Sequence, residues 1–391
     1  MEKRAKIFIC HHPAGLLFFE NLSRISKQIN SEKKIILFKV NHAYFSKLDF
    51  KEHEKYFDQI IEFDFVHYNE NFMKEYFKII RFIKKLDRVK KEIFSCFSGA
   101  DLFLEDSAWL PMNIMLYNLS KSKEIKSIFR FNGIDVIKKD IKTDRFKSFL
   151  CNLYAAFLPS YLIKFTVSPE GKFSNFRYRN AVPGKEIKIQ SPANFKNSQV
   201  PGVLPFPVIS AKGLRERKDM VFIMGDAKIF EEFSEYFFSY EDFLERGKNF
   251  FAAIEKKYPG HKICYKPHPA DGAEIMAGID PKKHIIFDNS AVAQTIFNNY
   301  YSKIKAVYSI SSSSVIASSY FGIPSYVFYR YFMAEPGIRR MDTIFLAENI
   351  VSPFLLRAKD LSDIGIIDGA KGYQGVSQKE LESLYKKELD L

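Results

Sequence analysis

Three short stretches combine residue types and spacing that can do chemistry. In Tyr265-Lys-Pro-His-Pro269, two prolines stiffen the backbone on either side of His268. An apolar run that reads as a strand precedes it, so the imidazole is presented at a strand's carboxyl end, where ligands bind in open α/β sheets. With a pKa near neutrality, such an imidazole can donate to a phosphate oxygen or protonate a leaving phosphate. The competing reading is a histidine that only caps a proline turn. Lys266 either adds positive charge there or is a solvated lysine. Ser311-Ser-Ser-Ser314 also follows a strand and opens a short helix. Its hydroxyls and backbone N–H groups would serve a phosphate, although a serine run is also a common loop or helix cap. Leu104-Glu-Asp-Ser107 ends a strand in the first half, and one of its carboxylates, Glu105 or Asp106, can face a cleft as a general base. A hydroxyl nucleophile needs such a base because its own proton is held too tightly at neutral pH. Alone, Glu-Asp is an ordinary surface pair. His11-His12-Pro13 follows the first strand and is either a turn or a ligand contact facing the same cleft.

The elements that must position these loops alternate between strand and helix. Strand patterns at 6–10, 34–40, 60–65 and 102–104 are interleaved with helical ones at 16–30 and 71–91, the latter long and basic. Prolines 192, 201, 205 and 207 crowd a stretch that reads as a linker. A second series follows, with strands at 220–224, 262–265, 284–287, 306–310 and 326–329 and helices at 240–258, 291–300, 315–320 and 378–391. Strand–helix alternation at this spacing predicts doubly wound parallel sheets.

The chain has 391 residues, enough for about two domains. Apolar residues at 47% and charged ones at 27% exclude a disordered or fibrous protein. The 40 Phe read as coding bias as much as physical demand. With 59 Lys+Arg against 46 Asp+Glu, the net charge of +13 favours anionic partners. No nucleic-acid motif is present. The four cysteines are scattered without metal or disulfide spacing, which points to free thiols in a reducing compartment. Residues 306–329 carry no charge, yet their serines, Gly322 and Pro324 read as strand, loop, helix and strand and not as a membrane span. Residues 148–163 are apolar, with Lys138, Lys139, Lys142, Arg145 and Lys147 ahead of them. They are either a core helix or a monotopic surface for anionic lipid.

Taken together, Glu105-Asp106, Lys266-Pro-His-Pro269 and the downstream serine pair resemble the bacterial sialyltransferases and polysialyltransferases of GT-B architecture. The similarity is strongest over residues 220–328; in the first half Ser107 stands where those families carry Gly. The resemblance implies an α/β fold of two Rossmann-like domains facing across a cleft: 1–205 binds the acceptor and 206–391 binds the CMP-linked donor. It implies that Glu105, or else Asp106, deprotonates the acceptor hydroxyl, and that His268 contacts the donor phosphate. Ser312 and Ser313, with Ser311 and Ser314 beside them, would hold the same phosphate. Asp288 would hold the ribose, and Gly225-Asp226 would let the backbone approach the donor, in company with Lys266, Pro267 and Pro269. His11 and His12 are further candidates for acceptor or donor contact. The implied reaction is inverting transfer of sialic acid or a related nonulosonic acid to a bacterial capsule or lipooligosaccharide. No metal or other cofactor is expected, and the sequence has no Asp-x-Asp triplet. Other donors compatible with the same fold are CMP-Kdo, a UDP-sugar (transferase or epimerase) and CDP-glycerol. The expected partners are the nucleotide-sugar and an anionic glycan, without nucleic acid. The expected location is the cytoplasm, with peripheral association at the inner membrane.

Overall fold

The computed structural model describes residues 4–11, 13–32, 34–41, 50–64, 72–105, 115, 118–132, 166–167, 173–174, 184–190, 195, 201–207, 219–226, 230, 234–268, 278–300, 302–345, 352–367, 376–389 and 391. Two compact units are present. The first comprises Met1–Ser46, Phe50–Lys188 and Lys386–Leu391, and the second is built from Ile189–Tyr385. The two units meet in the chain at Lys188/Ile189, and the proline-rich stretch expected to hold the 205/206 boundary contains a short strand.

The first unit runs β1 (Arg4–Cys10), α1 (Pro13–Ile29), β2 (Lys34–Asn41), α2 (Lys51–Glu54), β3 (Gln59–Asp64), α3 (Phe72–Cys96), β4 (Gly99–Glu105) and β5 (Ile125–Asn132). A two-residue antiparallel pair, β6 (Thr166–Val167) and β7 (Phe173–Ser174), precedes β8 (Lys185–Gln190) and β9 (Val203–Pro205). The division falls within β8, and β9 belongs to the same sheet although its residues are part of the second unit. The sheet order is β3-β2-β1-β4-β5-β8-β9. Strands β1 to β5 and β8 pair in parallel. Pro205 is tolerated because β9 sits at the edge, where a missing N–H costs no ladder bond.

Alternation along β1 and β4 builds a core on each face of this sheet. Ile7, Ile9, Leu102 and Leu104 join Phe82, Leu86, Val89 and Ile93 of α3 in one cluster. On the other face Phe8 stacks on Phe19 of α1 at 5.1 Å and meets Phe103 edge-on at 5.1 Å. Phe103 stacks on Phe129 at 5.0 Å, and Phe18 lies 4.8 Å from Phe131. The phenylalanine content therefore has a packing role: each aromatic pair adds about 0.5–1.5 kcal/mol beyond its buried area. A sheet covered on both faces needs strands that are largely apolar, and β1 is apolar from Ile7 to Cys10 with Lys6 buried beside that run.

The second unit contains β10 (Met220–Met224), α4 (Tyr240–Lys257), β11 (Lys262–Lys266), β12 (Ile285–Ile286), α5 (Ala293–Tyr300), β13 (Ile304–Ser309), α6 (Ser314–Tyr320), β14 (Ser325–Val327), α7 (Tyr329–Phe332), α8 (Glu335–Phe345), β15 (Leu355–Arg357) and α9 (Gln378–Leu389). Its sheet is parallel throughout, in the order β12-β11-β10-β13-β14-β15. Ser239 caps α4 by accepting from the Asp242 N–H at 3.0 Å, ahead of an acidic first turn that suits the helix dipole. Residues 306–329 form strand, serine loop, helix and strand as read from their serines and Pro324. Among the described residues no helix is long and apolar enough to cross a membrane. The 148–163 segment and its upstream basic residues lie outside the described residues. Both units are thus doubly wound α/β sheets, the class expected from the alternation.

Candidate functional site

In each sheet the strand order reverses once, between β1 and β4 in the first and between β10 and β13 in the second. A reversal of this kind opens a crevice at the strands' carboxyl ends, because successive crossovers leave in opposite directions. The residues singled out by type and spacing gather at these two places.

In the second unit the middle strand β10 ends in Gly225-Asp226, and this dipeptide holds the loops on both sides. The Gly225 N–H donates to the Lys266 carbonyl at 2.8 Å. A Cβ on Gly225 would lie 2.8 Å from Tyr265 Oη and 3.0 Å from His268 N, so only glycine lets the histidine loop come this close. Asp226 turns the other way. Its carboxylate accepts from Ile310 N at 3.2 Å, from Ser311 N at 3.1 Å and from Ser311 Oγ at 2.9 Å. The Asp226 side chain therefore shapes the serine loop.

Within that loop Ser309 Oγ accepts from Ser312 N at 2.6 Å, and the Ser312 and Ser314 hydroxyls share a bond of 2.7 Å. Ser313 stands at the mouth of α6, and its hydroxyl bonds to no described residue. Ser313 is half-buried, and the Ser312–Ser314 pair keeps one hydroxyl proton that their mutual bond does not use. Lys266 is not a solvated lysine. It is 2% exposed, and its ammonium donates to the Pro267 carbonyl and, at 3.2 Å, to the Asn289 carbonyl. That bond ties the histidine loop to the turn that carries Asp288. Asp288 is exposed and accepts from Ser290 N at 2.7 Å and Ser290 Oγ at 2.6 Å, bonds that hold its carboxyl below the usual range. Both bonds fall on Oδ1. Pro269 lies outside the described residues.

Burial, and after it the charge of Lys266, push the His268 pKa from 6.5 down to about 4. His268 is therefore neutral at pH 7, donating through one ring nitrogen and accepting through the other. Between about pH 4 and 6.5 the unfolded chain binds this proton and the folded chain does not, so folded stability falls as the pH drops through that window. Thermal denaturation from pH 7 to pH 5 should show a steeper loss of Tm in the wild type than in His268→Asn. Equal slopes would mean that His268 is not desolvated.

In the first unit Glu105 ends β4 and His11 follows β1, the neighbouring strand. Both are 1% exposed, and His11 Nδ1 lies 3.5 Å from Glu105 Oε2. Glu105 is thus no surface carboxylate. A Cβ on Gly15, in the first turn of α1, would fall 1.4 Å from Glu105 Oε1. Glycine at that point costs about 0.5–1 kcal/mol of helix stability relative to alanine, and here it leaves room for the carboxylate. Gly15 was missed by sequence reasoning. A glycine two residues after a helix-starting proline was the available signal. Asp106 and His12 lie outside the described residues. A second buried acid–histidine pair, Glu20 with His53 Nδ1, pins α2 to α1 away from the strand ends. Among the described residues no three His, Cys, Asp or Glu side chains converge in a way that could hold a metal. Of the cysteines, Cys10 and Cys264 are buried, and burial pushes the Cys264 thiol up to about 12.

No protein-family profile and no curated protein matches the chain. Several solved structures resemble its trace. The α/β-galactoside α-2,3-sialyltransferase of the luminous marine bacterium Photobacterium phosphoreum has 11% identity and a TM-score of 0.48, over 93% of this chain and 100% of that one. S. aureus MnaA, solved with UDP, has 10% identity and a TM-score of 0.43, over 93% and 94%. LpCGTa, also solved with UDP, has 10% identity and a TM-score of 0.44, over 99% and 90%. At TM-scores below 0.5 these likenesses assign neither donor nor residue roles, and the α/β class rests on the two sheets themselves.

Proposed function

We propose that the protein is an inverting, metal-independent glycosyltransferase that moves sialic acid or a related nonulosonic acid from its CMP donor to a hydroxyl of a bacterial surface glycan. The observation that supports this most is the loop set around Gly225-Asp226. A neutral His268 and the Ser313 hydroxyl stand at one sheet edge, with the buried Lys266 ammonium holding the histidine loop, and the two donors suit a single phosphate. In this reading the second unit binds the donor and the first the acceptor.

Glu105 takes the proton of the acceptor hydroxyl and becomes neutral, with His11 3.5 Å away to orient its carboxyl group. Asp106 is the alternative base. The acceptor oxygen then attacks the anomeric carbon on the face opposite the departing CMP, which inverts the configuration. The electrons of the broken C–O bond go to the phosphate, which leaves as an anion. His268 and the serine donors stabilise it by hydrogen bonds aimed where the charge grows, so neither a cation nor a proton transfer is required. Asp288 retains Oδ2 for a ribose hydroxyl. The enzyme works in the cytoplasm on an anionic acceptor, a capsule or a lipooligosaccharide.

A second reading keeps the loops and changes the donor. His268 and Ser313 address a phosphate and not a base or a sugar, so CMP-Kdo, a UDP-sugar or CDP-glycerol would satisfy them too. Thermal shift with CMP, CDP and UDP separates these readings, followed by product analysis with CMP-sialic acid and labelled acceptors. Stabilisation by CMP alone is expected, with a labelled product that disappears in His268→Ala. Preference for UDP or CDP would move the assignment to the second reading, and no response to any nucleotide would remove both.

A further inference from the structure

Helix α3 uses only half of its surface for the fold. Phe82, Ile83, Leu86, Val89 and Ile93 are buried in the core of the first unit. At 100° per residue, Arg81, Lys84, Lys85, Arg88 and Lys91 fall on the opposite side within an arc of roughly 120°. All but the half-buried Lys85 are exposed, and Glu92 is the one acid in that arc. The neighbouring acid Asp87 is engaged by Lys90 at 3.6 Å. Among the described residues no carboxylate forms an ion pair with Arg81, Lys84, Arg88 or Lys91. From Arg81 to Lys91 the row extends about 15 Å at 1.5 Å per residue.

Like charges held in line on one rigid helix repel one another, and among the described residues no carboxylate pairs with these four to offset it. Because the apolar side of α3 is committed to the core, the helix cannot insert into a bilayer, and a contact through its outer face must be electrostatic. The row is a straight ridge, which suits a plane. A single-stranded nucleic acid would be tracked by a groove with aromatic platforms between the charges, and between Arg81 and Lys91 the exposed arc contains no aromatic residue. We infer that the outer face of α3 docks the protein on an anionic lipid surface, with Arg81, Lys84, Arg88 and Lys91 taking the headgroup phosphates and carboxylates. This contact does not depend on which sugar is transferred, and it uses different residues from the 148–163 segment.

The test uses the full chain with phosphatidylcholine vesicles, with or without phosphatidylserine. Binding is expected only to the anionic vesicles and should weaken steeply with salt. Each Lys or Arg near such a surface is worth about fivefold in binding, so R81Q/K84Q/R88Q/K91Q should bind on the order of several hundredfold more weakly. A control with the same loss of charge, K248Q/K256Q/K282Q/K305Q, changes four exposed lysines of the second unit and should bind like the wild type. Matching Tm values for all three proteins would show that the fold is kept. The proposal is overturned if the wild type ignores anionic vesicles, or if both variants lose binding equally. It is also overturned if α3 captures heparin but not vesicles, which would make the row a polyanion site. Nucleotide binding is read separately, so failure here leaves the transferase reading untouched.

Discussion

Glu105→Gln is expected to lower kcat for glycosyl transfer by about 10³-fold, within the range that a positioned general base contributes. The substitution is isosteric. It keeps the side chain beneath Gly15 and beside His11, 3.5 Å from Nδ1, and removes only the charge that can accept a proton. Donor affinity should be unchanged, since the loops proposed to bind the nucleotide belong to the other unit, and initial rates at saturating donor and acceptor measure the effect. A Glu105→Gln enzyme with more than a tenth of wild-type kcat would exclude this carboxylate as the base. Asp106→Asn, measured beside it, then tells whether the neighbouring acid holds that role. Glu105→Ala is less informative because it also empties a buried space next to His11.

Asp226→Asn should weaken CMP binding by about a hundredfold, equivalent to about 2.8 kcal/mol at 1.4 kcal/mol per decade. It should also cost the fold about 3 kcal/mol through lost charge-assisted bonds and unsatisfied donors. The carboxylate receives the N–H groups of Ile310 and Ser311 together with the Ser311 hydroxyl, on two oxygens. An amide keeps one acceptor and turns an NH2 group toward a donor, so the loop cannot keep its shape. Titration calorimetry with CMP and thermal denaturation read the two effects separately. Loss of stability with CMP affinity intact would mean that Asp226 supports the fold while the serine loop does not touch the donor.

Strand–helix alternation carried the fold class because a parallel sheet covered on both sides demands continuous apolar strands separated by helices, and those patterns are local. The elements that escaped it lack that pattern. In β5 and β8 charged and apolar residues alternate, as in Arg130-Phe131 and Lys188-Ile189, which reads as surface until neighbouring strands are placed. Strand β9 is three residues inside a proline-rich stretch, too short to show any period. The same divide runs through the candidate site. His268 between two prolines, the serine run and Glu105 were visible as residue types at strand ends, because backbone chemistry and sequence adjacency define them.

What each of them does was decided by contacts made across the fold. Asp226 reaches Ser311 over 85 residues, and Gly15 makes room for Glu105 on a different element. Lys266 became a buried strut and His268 a neutral donor because desolvation depends on what encloses a group, and the enclosing residues come from separate loops. The sequence by itself determined the two-unit α/β plan and named the groups able to do chemistry. Only the tertiary structure decided which of those groups are left to donate at the strand ends and which hold the loops in place, since burial and hydrogen-bond partnership follow distance in space and not separation along the chain.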